Sequence, residues 1–289
     1  MDWFKVETSS REVRRWNARN ATPATAVILL VGIIIMGWPR FDPEFPGPFP
    51  YTGTPLTAEE RSGLTSDGWT LTGPDEAPWN LALTRPPAAG ETRWLVYFGG
   101  NTPGYLAEAK SVLSTLDQGR GWGLAAFAPP GFDGSPGEPS PEALRDSAVN
   151  AMHWLVTAHP AAAQGIHLVG FSMGSMAALS AAGALQERDT PAKGLVLFAP
   201  FHRMKVRPAG LMGRVFGRHE YDNRPLLRTH RKVPTLVLHG GADSALPLVQ
   251  GELVRRGLGA RLMTYPGIGH AELLKHPPAL ADARQGLGL

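Results

Sequence analysis

The sequence predicts an α/β protein with a mostly parallel, doubly wound sheet, preceded by one N-terminal transmembrane helix. From Trp69 onward, short apolar runs alternate with longer stretches of helical periodicity, which is typical of a parallel sheet covered by helices on both faces. Near the N-terminus, the 20 residues of the segment 20–39 carry no charged side chain. These two patterns assign residues 21–39 to the membrane and residues 69–289 to the α/β domain.

The uncharged segment has the length of a single membrane pass. Its centre, residues 26–38, is almost wholly apolar. A helix of all 20 residues rises roughly 30 Å, the thickness of a bilayer's hydrocarbon core. No small-residue cleavage site follows it, so an anchor is favoured over a cleaved signal peptide or a buried helix. Because basic residues precede the segment, residues 1–20 are predicted to be cytoplasmic and the α/β domain to lie outside. Residues 40–68, rich in proline and glycine, are predicted to be a linker.

Within the α/β domain, six nearly continuous apolar runs flanked by glycine or proline are predicted as buried strands. They are residues 93–98, 123–128, 165–169, 194–199, 235–239 and 261–265. The helices predicted between and after them are residues 105–117, 141–158, 173–184, 248–257 and 271–284. The second of these has a clear start, because Ser140 is a good cap residue and Pro141 suits the first helical position.

Composition excludes several classes of function. The 28 basic and 25 acidic residues give a net charge of +3, concentrated in residues 1–20 and 201–233 rather than on a broad basic face, so no nucleic-acid partner is predicted. The chain has no cysteine, which removes disulfides, thiolate metal sites and cysteine nucleophiles. The nine histidines show no metal-site spacing and no phosphate-binding loop is present, so neither a metal nor a cofactor is predicted.

A Gly-x-Ser-x-Gly pentapeptide, residues 170–174, lies directly between a predicted strand and a predicted helix. In that context the turn is sharp, tolerates only small flanking residues and exposes the serine hydroxyl above the sheet. The pentapeptide alone is a weak signal in a chain with 34 glycines, and close packing of a helix on a strand is its alternative explanation. The strand-turn-helix context makes Ser172 the candidate nucleophile.

A serine nucleophile needs a base, and the base needs an acid to orient it. Asp243 follows a predicted strand in a glycine-rich loop, and His270 follows the last predicted strand. Serine, aspartate and histidine thus occur in that order, each at the carboxyl end of a strand, where ligands bind in open α/β sheets. Each alone would fit a turn or cap residue, but together they predict a catalytic triad. His239, at a strand end near Asp243, could support the triad from behind Asp243, but a structural role is favoured.

Two backbone amides are predicted to stabilise the oxyanion that forms during acyl transfer. One belongs to Met173, which follows the candidate nucleophile at the start of a helix. The other comes from the loop after the strand 93–98, through Asn101. An ordinary Gly-Gly turn is the alternative explanation for this second loop.

These motifs together resemble the α/β-hydrolase superfamily, in its serine hydrolase branch, from Trp69 to the C-terminus. Residues 96–101 are similar to the Tyr-Phe-His-Gly-Asn strand and loop of Bem46-like, membrane-tethered hydrolases, and residues 130–140 are similar to their Arg-Gly-Tyr-Gly-x-Ser-x-Gly-x-Pro-Ser segment. The departures are Gly99, Pro130 and Asp133, which stand where those relatives have His, Arg and Gly. The resemblance implies the α/β-hydrolase fold and an N-terminal anchor, while the departures mean that the relatives' substrates transfer poorly.

Residues 201–233 interrupt the sheet pattern where this superfamily inserts its cap, and they hold nine basic and two acidic side chains. Apolar residues at helical spacing within this insertion predict a small amphipathic helix. They are Leu211, Met212, Val215 and Phe216. The cap is interpreted either as a basic lid that favours anionic or lipid substrates or, preferably, as a solvated basic face.

Taken together, the sequence predicts a membrane-anchored serine hydrolase that cleaves an ester, thioester or related acyl bond through an acyl-enzyme, with carboxylic ester hydrolysis favoured. Its expected partners are a small-molecule or lipid-like acyl substrate and the membrane. The alternatives are a serine peptidase, an acyltransferase that shares the acyl-enzyme, and a non-catalytic α/β-hydrolase-fold module that binds a partner at the membrane.

Overall fold

A computed structural model describes residues 44–45, 54–73, 80–206, 219–229 and 232–289. All the described residues belong to one compact unit, Phe41–Leu289. The anchor predicted for residues 21–39 lies outside the described residues, as does the amphipathic helix predicted within the cap. Across the part that is described, no helix combines the length and the apolar character that a membrane crossing requires.

The described residues form strands and helices that we number in chain order. The strands are β1 (Glu44–Phe45), β2 (Thr70–Thr72), β3 (Ala82–Arg85), β4 (Trp94–Phe98), β5 (Gly123–Phe127), β6 (Ile166–Phe171), β7 (Gly194–Phe198), β8 (Arg203–Val206), β9 (His219–Asp222), β10 (Thr235–Gly240) and β11 (Arg261–Tyr265). The α-helices are α1 (Ala58–Leu64), α2 (Tyr105–Asp117), α3 (Pro141–Ala158), α4 (Gly174–Glu187), α5 (Arg224–Thr229), α6 (Leu248–Leu258) and α7 (Pro277–Leu287). Two 3₁₀ helices span Pro160–Gln164 and Ala271–Lys275.

Eight of the described strands form one sheet in the order β11-β10-β7-β6-β4-β5-β3-β2. Neighbours from β11 to β5 are parallel, whereas β3 runs antiparallel to β5 and β2 antiparallel to β3. Every residue of β4, β5 and β7 is buried, so these strands are covered on both faces of the sheet. The predicted mostly parallel sheet is confirmed.

The strand order reverses in the middle of the sheet, and this reversal positions the candidate site. β4 pairs with β5 on one side and with β6 on the other, so the connections after β4 and β6 leave in opposite directions. Phe98, the last residue of β4, is in register with Gly170 of β6. The loop that follows β4 and the turn that follows β6 therefore meet at the same carboxyl edge of the sheet.

All six predicted strands are present with ends shifted by at most two residues, and α2 and α3 have the predicted bounds. β2 and β3 were not predicted, because short antiparallel strands at the sheet edge lack the continuous apolar run of a central strand. The helix predicted for residues 271–284 is divided into a 3₁₀ helix and α7. The division follows from Pro277, since His276 before it is extended, with φ −80° and ψ 112°.

The packed domain begins earlier than the predicted boundary at Trp69. Helix α1 lies in the stretch expected to be a linker, and it starts with a capping box in which Thr57 and Glu60 bond each other's backbone amides. Leu64 of this helix is buried, and Lys110 of α2 donates to the Gly63 carbonyl at 2.8 Å. The capping and the burial show that the second half of residues 40–68 is structured rather than a free linker.

The described part of the insertion at residues 201–233 contains a second, smaller sheet. β8 pairs antiparallel with β9, β1 pairs with β8, and α5 follows β9. Two of the insertion's cations form ion pairs here, Arg203 with Glu220 and Arg224 with Asp222. These ion pairs partly neutralise the described portion of the insertion.

Candidate active site

Ser172 occupies a sharp turn between β6 and α4. Its backbone has φ +53°, a left-handed conformation that is uncommon for a residue with a side chain and that is often retained at functional sites. The Ser172 amide donates to the Phe198 carbonyl of the neighbouring strand at 2.9 Å, which fixes the turn to the sheet. The serine side chain is half-buried. The turn has the geometry expected of a nucleophile presented above the sheet.

Gly174 allows this turn to approach the loop after β4. A Cβ atom at this position would lie 2.0 Å from the Phe98 carbonyl oxygen and 2.4 Å from that of Gly99, both of which are backbone atoms. No side chain fits at such distances. The second glycine of the pentapeptide is therefore required by close packing of the start of α4 on the end of β4.

Ser172, His270 and Asp243 form a continuous chain of hydrogen bonds. The Ser172 Oγ lies 2.9 Å from His270 Nε2, and His270 Nδ1 lies 2.7 Å from Asp243 Oδ2. The Asp243 side chain has no exposed area, whereas that of His270 is 21% exposed. With the imidazole proton on Nδ1, His270 donates to the aspartate and accepts from the serine hydroxyl, as a general base must.

The loops that carry Asp243 and His270 are joined by their backbones. The amides of Gly241 and Ala242 donate to the carbonyls of Tyr265 and Ile268 at 2.8 and 3.0 Å. Asp243 is then fixed within its own loop, because its Oδ1 accepts the amides of Ala245 and Leu246 at 3.0 and 2.7 Å. The second carboxylate oxygen is left to face the imidazole.

Phe171 lies beside the imidazole of His270, with ring centroids 4.9 Å apart and planes tilted by 35°. Its ring also contacts the loop after β4, because a Cβ built on Gly100 would lie 3.0 Å from two of the ring atoms. Phe171 is buried. The residue before the candidate nucleophile thus packs against both the base and the candidate oxyanion loop.

The two predicted oxyanion donors belong to segments that border Ser172. Met173 is the N-cap residue of α4, at the end of the helix where the first amides have no acceptor within the helix. In the loop after β4, the Gly99 amide already donates to the Tyr105 hydroxyl at 2.7 Å, which leaves the donor role to the residues that follow. A Cβ on Gly100 would lie 3.5 Å from the Ser172 Cβ, and half-buried Asn101 comes next. The loop therefore runs directly alongside the serine.

Two groups near the site carry pKa shifts whose main cause is burial. Burial lowers the pKa of His239, so its imidazole stays neutral near pH 7. Burial also raises the pKa of Glu108, although hydrogen bonds from Tyr97 and Thr102 act in the opposite direction. Glu108 was not predicted from the sequence as a site residue. Its only signal was a carboxylate in the first turn of the helix that follows the candidate oxyanion loop.

The described residues contain no group of three or more histidine, aspartate and glutamate side chains arranged to hold a metal ion. The polar groups that converge at the sheet edge are those of a serine, a histidine and an aspartate. Such a set is suited to nucleophilic attack on an acyl carbon assisted by a general base.

Comparison of the sequence with known proteins identifies two relatives of moderate identity. The uncharacterized protein Rv2307c of Mycobacterium tuberculosis is 28% identical over 276 residues, and the match covers 91% of each chain. Protein ABHD12B of Homo sapiens is 25% identical over 231 residues, which are 67% of this chain and 60% of the human protein. This chain therefore spans less than two thirds of its human relative. No protein-family model matches the sequence.

Comparison with solved structures identifies the fold. The esterase RhEst1 from Rhodococcus sp. ECU1013 matches with a TM-score of 0.58 at 14% identity, over 76% of this chain and 98% of that chain. XC6422 from Xanthomonas campestris, described as an α/β serine hydrolase without a lid, matches with a TM-score of 0.52 at 18% identity. The match covers 81% of this chain and 94% of that chain. The predicted α/β-hydrolase fold is confirmed by these matches.

Proposed function

We propose that the protein is a serine hydrolase that cleaves a carboxylic ester, a thioester or a related acyl bond. The observation that carries the proposal is the chain of hydrogen bonds from Ser172 through His270 to Asp243, with lengths of 2.9 and 2.7 Å. The names of the structural matches, one an esterase and one a serine hydrolase, support the same reaction class.

In this mechanism Ser172 attacks the carbonyl carbon while His270 Nε2 takes the hydroxyl proton. The imidazolium then gives that proton to the leaving group, and an acyl-enzyme forms on the serine oxygen. Asp243 holds the imidazole with its proton on Nδ1 and stabilises the positive charge that develops on the ring. Water, deprotonated by His270, attacks the acyl-enzyme and releases the carboxylic acid. The amides of Met173 and Asn101 are assigned to the oxyanion in both steps.

Labelling with a fluorophosphonate probe tests the nucleophile. We expect the purified protein to be labelled, and we expect Ser172→Ala to remove the label. Ser62→Ala is the matched control, because Ser62 is exposed on α1 and its loss should leave labelling unchanged. If the wild-type chain fails to react, or if Ser172→Ala still reacts, the enzyme proposal is wrong and a non-catalytic binding module becomes the better explanation.

Hydrolysis of p-nitrophenyl esters of increasing chain length tests the reaction class. We expect turnover of at least one ester, abolished by Ser172→Ala, and the preferred chain length would measure the acyl pocket. Peptide p-nitroanilides provide the matched amide substrates. Turnover of the anilides without turnover of the esters would replace the esterase proposal by a peptidase.

We further propose that residues 21–39 anchor the protein in a membrane, with residues 1–20 in the cytoplasm and the hydrolase domain outside. The support is the uncharged segment 20–39 and the basic residues that precede it. Protease added to spheroplasts should then digest the hydrolase domain while a cytoplasmic marker stays intact. Protection of the domain until the membrane is lysed would reverse the proposed orientation.

A further inference from the structure

Two side chains of α2, Tyr105 and Glu108, lie one helical turn apart and both contact the loop that follows β4. Residues three apart share one face of a helix, so a single helix face meets this loop. The Gly99 amide donates to the Tyr105 hydroxyl at 2.7 Å. Three residues later in the loop, the Thr102 hydroxyl lies 3.3 Å from Glu108 Oε2. The residues between these two contacts are Gly100 and Asn101.

The Glu108 carboxylate is itself hydrogen-bonded to a side chain of the sheet. The Tyr97 hydroxyl, on β4, donates to Glu108 Oε1 at 2.9 Å. Tyr97 and Tyr105 are both buried, so neither hydroxyl exchanges its partner freely with water. The loop is thus connected through Glu108 to the strand from which it emerges.

The packing around Gly99 adds a third restraint on the loop. A Cβ atom on Gly99 would lie 3.0 Å from the Tyr105 ring, 3.2 Å from the Tyr97 ring and 3.3 Å from Glu108 Oε1. These three side chains pack closely around the Gly99 backbone, and a larger residue at this position would have to displace them. The loop therefore has little freedom to move away from Ser172.

We propose that Tyr105 and Glu108 are positioning residues. They fix the loop 99–102 so that the Asn101 amide faces the oxyanion. The inference rests on the proposed function, because an oxyanion forms beside the loop only if Ser172 attacks an acyl carbon. Neither side chain is placed on the substrate. Each acts through the backbone of Gly99 or the hydroxyl of Thr102.

The kinetic test uses Tyr105→Phe, Thr102→Val and Glu108→Ala with p-nitrophenyl acetate. Each removes one restraint on the loop, and a small displacement of an oxyanion donor is expected to lower kcat by about 10-fold to 100-fold. KM should change by less than about threefold, because the loop amide acts mainly on the transition state. Ser114→Ala, on the exposed side of the same helix, is the control that should keep the wild-type kcat.

Glu108→Gln separates positioning from charge. The amide side chain keeps the carboxylate's shape, accepts from Tyr97 and donates to Thr102, so it should restore most of the kcat that Glu108→Ala loses. A carboxylate at Glu108 could instead act through its charge, on Lys275 or on the imidazolium that forms on His270 during the reaction. A loss of kcat in Glu108→Gln as large as that in Glu108→Ala would favour the charge effect and overturn the positioning role.

A double-mutant cycle shows whether Glu108 acts through Thr102. Combining Thr102→Val with Glu108→Ala should lower kcat no further than Glu108→Ala alone, whereas independent effects would multiply. If Tyr105→Phe and Glu108→Ala do not fold, Thr102→Val alone still tests the loop. Wild-type kcat in a folded Thr102→Val would overturn the inference for Glu108, whereas a wild-type protein that neither hydrolyses esters nor reacts with the probe would overturn the proposed function instead.

Discussion

The imidazole of His239 lies against the carboxylate of Asp243, with His239 Nε2 3.5 Å from Asp243 Oδ2. The same nitrogen is 2.8 Å from the Leu246 carbonyl oxygen, to which it donates, so the ring joins the end of β10 to the loop that carries the acid. His239 is completely buried, and its lowered pKa keeps it neutral. A residue for which a structural role was favoured from the sequence therefore also contacts Asp243, the candidate triad acid.

We predict that His239→Ala lowers both stability and turnover. The Leu246 carbonyl would lose its donor, and an unsatisfied buried polar group costs about 1–3 kcal/mol in the free energy of unfolding. Displacement of the Asp243 loop should also lower kcat by roughly tenfold, with KM unchanged. His153→Ala, at a half-buried position on α3, is the control for removal of a histidine. Urea unfolding and ester kinetics measure the two effects, and a loss of stability with wild-type kcat would restrict His239 to a structural role.

We predict that Asp243→Asn lowers kcat by about 10⁴-fold. The asparagine would keep the bonds from Ala245 and Leu246, but its amide would face His270 Nδ1 as a donor. His270 would then carry its proton on Nε2 and could not accept the serine proton. Asp222→Asn is the matched control, since Asp222 is paired with Arg224 at 2.7 Å and lies outside the hydrogen-bonded chain. Near-wild-type turnover of Asp243→Asn would assign the acid to a different residue.

We predict opposite effects for two Gly→Ala substitutions. In Gly174→Ala the new methyl group would overlap the backbone oxygens of Phe98 and Gly99, so α4 or β4 must move and both stability and turnover should fall. In Gly63→Ala the added methyl group meets no atom within 4 Å, and within α1 the substitution should stabilise by about 0.5–1 kcal/mol. Thermal unfolding and ester kinetics compare the two variants. If Gly174→Ala kept the stability and turnover of Gly63→Ala, the turn between β6 and α4 would tolerate a wider separation of α4 from β4.

The sequence was sufficient to predict the parallel strands and to select Ser172, Asp243 and His270 as neighbours. Each of these residues follows a continuous apolar run, and the carboxyl ends of parallel strands lie at one edge of a sheet. The pairing of β10 with β11 and the backbone hydrogen bonds between their loops bring Asp243 next to His270. The reversal of strand order between β4 and β6 instead brings the loop after β4 alongside Ser172, and both arrangements follow from tertiary pairing.

The supports around the candidate site were not predictable, because they depend on contacts between distant segments. Asp133 illustrates this, since the sequence showed only that it stands where similar hydrolases have glycine. Its φ of +51° explains why glycine suits the position, and its carboxylate accepts the Leu106 amide at 2.7 Å. The first turn of α2 follows Gly104, which has no capping side chain, so Asp133 supplies the cap from 27 residues away.

We predict that acid destabilises the protein, because several buried or half-buried histidines bind protons more weakly in the folded chain than in the unfolded chain. Burial, with a smaller effect from the cations of Arg93 and Lys193, lowers the pKa of His167 to about 4, whereas an unfolded chain binds this proton near its ordinary value of about 6.5. Between these two pKa values the unfolded chain holds more protons than the folded chain, so stability must fall as pH falls. Burial shifts the pKa of His159 and of His239 in the same direction.

His167→Leu isolates the contribution of one of these groups. The His167 Nδ1 is buried without a hydrogen-bond partner among the described residues, so leucine removes both an unsatisfied polar atom and the titration. We expect the urea midpoint of the wild-type protein to fall between pH 7.5 and pH 5 by clearly more than that of His167→Leu. Above pH 7.5 the difference between the two proteins should stay constant, because His167 is neutral there in both the folded and the unfolded chain. Parallel curves over the whole range would show that His167 binds its proton equally well before and after unfolding, and would contradict the shift.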